Sequence, residues 1–346
     1  MRQGTTADIT YLGRTFKTSI TKPLTDEEYQ EIVEYINRRP EWEDVEKEMH
    51  KVFDGGVKIS AITGYYFLSL MYDARNGQDA WSINEALHNK QIMEYFNGKI
   101  SVNDKVFNPS TPLGERILTA FRLCGIRCCR KVPQFPLRVI NDLLDRYTKP
   151  GDNFYDFSCG WGVRALSAMI HSVNYFGTDP NSALVDKIYE MSKDFNFVNG
   201  IKSNLDVRPI GSEVFIPEWE NKMDFIFSSP PYFALEIYKS ENQSYKEGMV
   251  YEEWLNTWMK PTILNINRYL KDDGIFAINI KDIFYDKQWY SLENDTVAMI
   301  ENMGFKLEHV HTLKNIKRTF GCMHWEKHTT GINTKADEHI FVFKKV

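Results

Sequence analysis

The chain has 346 residues, 42% of them hydrophobic and 14% aromatic, with a formal net charge of −5 and a pI near 6.0. A chain of this size and composition buries one large core or two smaller ones, and two domains are expected. The acidic balance excludes a global electrostatic footprint for nucleic acid. No apolar run reaches the roughly 20 residues of a membrane span, and Met1-Arg-Gln-Gly-Thr-Thr6 lacks the apolar segment of a signal peptide, so a cytoplasmic location is expected. Five cysteines without framework spacing point to reduced thiols. Neither Cys124, Cys128 and Cys129 nor Cys322, His324 and His328 has the paired spacing of a structural zinc site, so no metal is expected.

Residues 1 to about 24 read as an extended arm with a strand over Thr10 to Lys17. Thr25-Asp-Glu-Glu28 fits a capping box, in which the Thr25 hydroxyl and the Glu28 carboxylate satisfy opposite free amides of a helix start. A helix then runs to about residue 38, where Pro40 breaks the pattern. Helices are expected over Trp42 to Phe53 and Ile62 to Tyr72, and Ser82-Ile-Asn-Glu85 opens another that Asn97-Gly98 should stop near Phe96. Residues 1–111 therefore read as an arm and a small helical domain, suited to packing, to a protein partner or to substrate contact. A helix-turn-helix around Ser82 is the less favoured alternative, because Glu85 and Glu94 face outward in it.

Residues 112–346 read as a second, α/β domain. Helices are expected from Pro112 to Leu123 and from Phe135 to Tyr147, followed by the short strand Phe154-Tyr155-Asp156. Asp156-Phe-Ser-Cys-Gly-Trp-Gly162 then leads into a helix over Val163 to Ile170, and Gly160 and Gly162 allow close backbone approach where a ligand meets free helix amides. Tyr175-Phe-Gly-Thr-Asp179 reads as a second strand, ending in an acid 17 positions after Gly162. At that spacing Rossmann-like folds place a carboxylate on the ribose hydroxyls, the alternative being a cap of the next helix. Val207 to Glu213 reads as a third strand and its loop.

The stretch Asp224-Phe-Ile-Phe-Ser-Ser-Pro-Pro-Tyr-Phe233 carries the chemistry. Two prolines end a buried strand, because neither donates a ladder bond and each fixes φ. The stiff loop holds Ser229, the Pro230 carbonyl and the Tyr232 ring as a planar slot with polar edges, which suits a flat, amine-bearing base. A helix from Tyr251 to Leu270, a strand Ile275 to Ile280, and strands over Phe305 to Leu313 and His339 to Phe343 complete the chain.

Ser229-Pro230-Pro231-Tyr232 resembles the Asp/Asn/Ser-Pro-Pro-Tyr motif of S-adenosylmethionine-dependent DNA amino-methyltransferases. The resemblance implies a Rossmann-like seven-stranded methyltransferase sheet, S-adenosylmethionine as cofactor and DNA with a flipped base as substrate. Its first side chain and first Pro carbonyl accept hydrogen bonds from an exocyclic amine, and its aromatic ring stacks on the base. Asp156, Ser158, Gly160 and Gly162 are similar to the family's Asp-Pro-Phe-x-Gly-x-Gly cofactor loop, although Ser158 stands in the Phe position and Phe157 one place early. Phe135 and Arg138 stand where the family has an aromatic and a cofactor-carboxylate contact, Asp179 where it has the ribose carboxylate, and Ser212 or Glu213 where a side chain meets the cofactor's adenine amine, a solvent-exposed Glu being the alternative.

Serine at 229 resembles the N4-cytosine enzymes more than the N6-adenine ones, so cytosine is favoured and adenine is the alternative. An RNA or protein amine, or a silent cofactor-binding scaffold, are the competing classes. Basic runs from Arg116 to Arg138 and from Lys314 to Lys335 offer local nucleic-acid contacts, and Lys239 to Met249 is expected to close over the base.

Overall fold

A computed structural model describes residues 7–11, 14–18, 21–75, 81–101, 106–123, 132, 134–238, 242–313 and 338–346. Its N-terminal arm is a hairpin of β1 (Ala7–Tyr11) and β2 (Arg14–Thr18) where one strand was expected. Helix α1 (Asp26–Asn37) opens with the full capping box: the Thr25 hydroxyl accepts from the Glu28 amide at 3.1 Å and the Glu28 carboxylate from the Thr25 amide at 2.9 Å. Helices α2 (Trp42–Phe53) and α3 (Ser60–Asp73) follow the apolar periodicity.

The second capping box also forms, but its helix lasts barely a turn. Helix α4 (Ile83–Leu87) ends at His88, and α5 (Lys90–Ser101) starts anew where the Asn89 side chain accepts from the Gln91 amide at 3.1 Å. Helix α5 runs on through Asn97-Gly98, the expected stop. Asn97 is buried, and its amide donates to the Lys22 and Pro23 carbonyls at 3.2 and 3.3 Å, so packing against the arm overrides the local signal. Helices α6 (Leu113–Leu123) and α7 (Leu137–Tyr147) lead into the sheet.

That sheet has seven strands: β3 (Asn153–Asp156), β4 (Asn174–Thr178), β5 (Leu205–Arg208), β6 (Met223–Ser228), β7 (Leu270–Ile280), β10 (Phe305–Leu313) and β11 (Glu338–Lys345), in the order β10-β11-β7-β6-β3-β4-β5. β3 to β7 pair in parallel, and β11 inserts antiparallel between β7 and β10. This is the Rossmann-like α/β sheet that the resemblance implies. Helices α8 (Val163–Ile170) and α9 (Ser182–Asn199) make the first crossovers.

The expected helix from Tyr251 to Leu270 is α10 (Tyr251–Trp254), a π turn over Leu255–Met259, and α11 (Lys260–Tyr269). Pro261 explains the break, since it has no amide for the Thr257 carbonyl and its ring crowds that carbonyl. β7 starts at Leu270 and takes in Lys271 to Gly274, the expected turn, as a bulge: Met223 faces Leu270 and Phe225 already faces Ile275. A hairpin of β8 (Ile283–Tyr285) and β9 (Gln288–Tyr290) and helix α12 (Leu292–Glu301) are additional to the expected elements.

Strand alternation divides the interior into two clusters, one on each face of the sheet. Phe154, Phe225 and Phe227 point into one, Tyr155, Ile226 and Ile278 into the other. The first cluster is continuous from Ile32 on α1 through Phe67 on α3 to Met191 and Phe195 on α9, so the N-terminal helices pack directly on the sheet's helical layer. The second joins α11 and α12 to the other face. The parallel strands all end at one edge, which brings the loops after β3, β4, β5, β6 and β7 together.

Candidate active site

The loop after β3 is fixed from beneath by a buried ion pair. Asp156 is fully buried, and its Oδ2 accepts from Arg164 Nε at 2.7 Å and from the Tyr175 hydroxyl at 2.8 Å, while Oδ1 accepts from the Ser158 amide at 3.2 Å. The Arg164 guanidinium also donates to the Ser158 carbonyl and lies 5.8 Å from the centre of the Phe135 ring. A buried pair needs further partners to share its charge, and here the Tyr175 hydroxyl and the Ser158 amide serve the carboxylate and the Ser158 carbonyl the guanidinium. Asp156 therefore shapes the loop from inside. Arg164 was not singled out from the sequence, although an arginine inside the apolar helix Val163–Ile170 is itself a sign of a buried partner.

The two glycines differ. Gly162, at φ 68°, caps α8, and a Cβ on it would come 2.9 Å from Phe67 on α3. Gly160, at φ 54°, is required for its left-handed backbone and not for space, since a Cβ on it would meet Arg164 at an ordinary contact distance of 3.7 Å. The Gly160 amide donates to Asp179 Oδ2 at 3.3 Å and the Asn181 amide to Asp179 Oδ1 at 3.0 Å. The cap of α9 is Asn181, whose side chain accepts from the Leu184 amide, so Asp179 is free of that duty. Burial pushes the Asp179 carboxyl up to about 6, against the lowering effect of those two amides.

Ser158 is half-buried, with its hydroxyl donated to the Phe157 carbonyl at 2.8 Å. Phe135 packs edge-on to Phe227 at 5.3 Å, alongside the same loop. Arg138 is exposed on the first turn of α7. Of the pair after β5, Ser212 is buried and committed to α11, its hydroxyl 2.9 Å from that of Thr262 and its carbonyl accepting from Asn265 at 2.9 Å. Glu213 is the one with capacity to spare: its buried Oε2 has no partner among the described residues, and burial raises its pKa. It lines an opening of about 470 Å³ together with Gly211, Ser244, Met249 and Trp258.

On the other side of the edge, β6 delivers Ser229 to Tyr232. The Ser228 hydroxyl reaches the Ser158 carbonyl at 3.5 Å, which ties this loop to the first one. The Ser229 hydroxyl donates to Asn279 Oδ1 at 3.1 Å, Asn279 Nδ2 donates to the His339 carbonyl at 3.1 Å, and the Tyr232 hydroxyl donates to the Asn279 carbonyl at 3.4 Å. After the two prolines the chain turns at Phe233, φ 50°, whose ring is locked among Tyr245, Tyr251, Trp254, Tyr285 and Tyr290. Burial holds the Tyr232 phenol neutral, its pKa pushed well up. Lys281 Nζ lies 5.6 Å from the centre of the Tyr232 ring and pairs with Glu338 at 2.7 Å.

Asn279 was not singled out either. A lone amide between Ile278 and Ile280, at the buried end of an apolar strand, is the available signal, because a buried polar side chain needs partners.

Of the segment Lys239 to Met249, residues 242–249 are described: Tyr245 is buried, and Gln243 Oε1 accepts from the Tyr238 amide at 2.9 Å. The expected recognition run Lys314 to Lys335, both cysteine-containing clusters and residues 124–131 and 133 of the basic run Arg116 to Arg138 lie outside the described residues. Among those described, no group of three or more His, Cys, Asp or Glu is placed to hold a metal, and no helix is long and apolar enough to cross a membrane.

Residues 223–346 match a family model described as DNA methylase. No curated protein matches the chain. Among solved structures it is similar to a TehB-like S-adenosylmethionine-dependent methyltransferase from Corynebacterium glutamicum, at 19% identity over 60% of this chain and 87% of that one, with a TM-score of 0.37. A second, from Aquifex aeolicus and likewise described as an S-adenosylmethionine-dependent methyltransferase, shares 17% identity over 62% of this chain and 100% of that one, with a TM-score of 0.37. TrmN from Thermus thermophilus shares 14% identity over 66% of this chain and 53% of that one, with a TM-score of 0.40.

The strand order is that of a Rossmann-like α/β sheet, and residues 223–346 are the part of the chain that is similar to DNA methylases. One feature of the site fits S-adenosylmethionine: a buried Glu213 oxygen has no partner among the described residues and can accept from a donor such as an adenine amine.

Proposed function

We propose that the protein methylates an exocyclic amine of a flipped base in DNA, N4 of cytosine ahead of N6 of adenine. Residues 112–346 serve as the methyltransferase domain, and residues 1–111 as a helical layer for substrate or partner contacts. The observation that carries the reading is the bond from Ser229 to Asn279, within the segment that matches the DNA methylase model.

A serine hydroxyl both donates and accepts, and only an acceptor serves an amine. Asn279 Oδ1 takes the hydroxyl proton, and its own orientation is set by the bond from Nδ2 to the His339 carbonyl. The lone pairs of Ser229 are then left for one amine hydrogen, with the Pro230 carbonyl for the other. Both bonds favour a pyramidal nitrogen, whose lone pair is otherwise delocalised into the ring. Tyr232, anchored through its hydroxyl, offers a flat face for the base.

S-adenosylmethionine, when bound, supplies an electrophilic methyl on a sulfonium. Asp179 accepts from the ribose hydroxyls, Glu213 from the adenine amine, and Phe135 with the loop Ser158 to Gly162 forms the wall of the pocket. Arg138 is the cation for the cofactor's carboxylate. The nitrogen would gain the methyl as the carbon–sulfur bond breaks with its electron pair left on sulfur, giving the neutral thioether, and one proton would pass from the nitrogen to water. The gain in rate comes from positioning and preorganised acceptors.

The test is to incubate the purified chain with radiolabelled S-adenosylmethionine and unmethylated duplex DNA, digest to nucleosides and identify the labelled one. Label in N4-methylcytosine is expected. N6-methyladenine would keep the enzyme class and change the base, and no labelled nucleoside despite bound cofactor would move the substrate to RNA or protein, or leave a silent scaffold.

A further inference from the structure

Helix α3 touches both halves of the site. Near its middle, Phe67 packs so tightly on the first loop that a Cβ at Gly162 would lie 2.9 Å from its ring. Six residues further, roughly 9 Å along the axis, the helix ends at Asp73. Arg75, two residues on, pairs with Ile237 through both backbone groups: its amide donates to the Ile237 carbonyl at 2.8 Å and its carbonyl accepts from the Ile237 amide at 3.0 Å.

Ile237 belongs to the segment that follows Ser229-Pro-Pro-Tyr232. Its neighbours face the first loop. The Tyr238 ring lies 6.0 Å from that of Trp161, between Gly160 and Gly162, and its hydroxyl donates to Glu236 at 2.5 Å. Helix α3 and the two residues after it thus run from the loop at Gly162 to the segment at Glu236–Tyr238.

The end of α3 is held in place by charge. Arg75 Nε donates to Glu85 Oε2 at 3.0 Å and its terminal nitrogen to Glu85 Oε1, a bidentate pair with both side chains less than a quarter exposed. Glu85 also completes the capping box of α4, accepting from the amide of the cap residue Ser82 at 2.9 Å, and Asn84 donates to Asp73 at 3.0 Å. The first turn of α4 therefore clamps the stretch of chain that pairs with Ile237.

We propose that Arg75 and Glu85 are positioning residues of the active site: through the backbone pairing of Arg75 with Ile237 they set the segment Glu236–Tyr238 over the cofactor loop, and Tyr238 forms part of the wall of the cofactor pocket. The proposal rests on the cofactor side of the function given above and assigns to the N-terminal helices a part in building it. Neither residue touches the cofactor.

The test is a double-mutant cycle on the full chain, read by calorimetric titration with S-adenosylmethionine and by thermal melting. Arg75→Met is expected to raise the Kd about tenfold, and Glu85→Gln, which keeps the α4 cap, to raise it less. Tyr238→Ala should weaken binding by at least as much as Arg75→Met. The double variant Arg75→Met/Tyr238→Ala should bind no worse than Tyr238→Ala alone, because the arginine acts through the tyrosine. Losses that multiply, or an Arg75→Met chain that melts lower yet binds as tightly as the wild type, would overturn the proposal and reduce the pair to a structural clamp. A wild-type chain that binds no S-adenosylmethionine would overturn the cofactor reading itself, and this inference with it.

Discussion

Asn279→Leu removes the acceptor that orients Ser229 while preserving most of the side-chain volume. Two bonds disappear, from the Ser229 hydroxyl and to the His339 carbonyl, both at 3.1 Å. A net hydrogen bond is worth about 1 kcal/mol, and a buried carbonyl left without its donor costs about 1–3 kcal/mol. For a chain of this size a loss of about 2–3 kcal/mol lowers the melting temperature by only several degrees, so the fold survives. The effect on turnover should be larger than that on binding. With its proton undirected, the Ser229 hydroxyl turns toward the nearest acceptor, and the amine meets a donor where it needs an acceptor. A drop in kcat of about 10- to 100-fold corresponds to about 1.4–2.7 kcal/mol of lost transition-state stabilisation. Asn279→Asp keeps an acceptor opposite Ser229 and should lose less than Asn279→Leu. Single-turnover methyl transfer to DNA, with cofactor affinity measured alongside, separates the two steps. A wild-type kcat in Asn279→Leu, or equal losses in both variants, would refute the orienting role.

Ser229→Ala and Tyr232→Ala are each expected to abolish transfer while the near-ultraviolet circular dichroism and cofactor affinity stay those of the wild type. With the carboxyl of Asp179 pushed up to about 6, the proposed ribose contact predicts that cofactor affinity falls by up to about tenfold per pH unit below that value and levels off above it, because the carboxylate is the form that accepts from both hydroxyls. In the cofactor-free chain the sign reverses. The folded state binds the proton more tightly than the unfolded one, so this residue's contribution to stability grows as pH falls from above 6 toward about 4, by on the order of 1–3 kcal/mol. Asp179→Asn should flatten both profiles, measured by calorimetric titration and by melting across the same range. Arg164→Met leaves the Asp156 carboxylate buried with one partner fewer and should cost about 3–5 kcal/mol, read from urea denaturation.

Much of the site was legible before the fold because its residues sit in short, contiguous runs. The glycine pair of Asp156 to Gly162, the acid 17 positions on, and Ser229 to Tyr232 each follow an apolar strand, and parallel strands bring such ends to one edge. The capping boxes at Thr25 and Ser82 were equally local, and both form. The residues that support the site were not legible. Asn279 and Arg164 stand 50 and 8 positions from the groups they orient, and only the register of β7 beside β6 and the turn of α8 over β3 bring them there.

The same division governs the elements themselves. Composition, apolar spacing and turn chemistry determined the strands of the seven-stranded sheet, most of the helices and the chemistry available at the edge, because each of these is set by neighbours within a few residues. Helix α5 running through Asn97-Gly98, the π turn before Pro261 and the pairing of Arg75 with Ile237 were decided by tertiary structure. There, long-range burial and hydrogen bonds outweigh local preferences of about 1 kcal/mol or less, and no pattern within the chain records which distant partner will supply them.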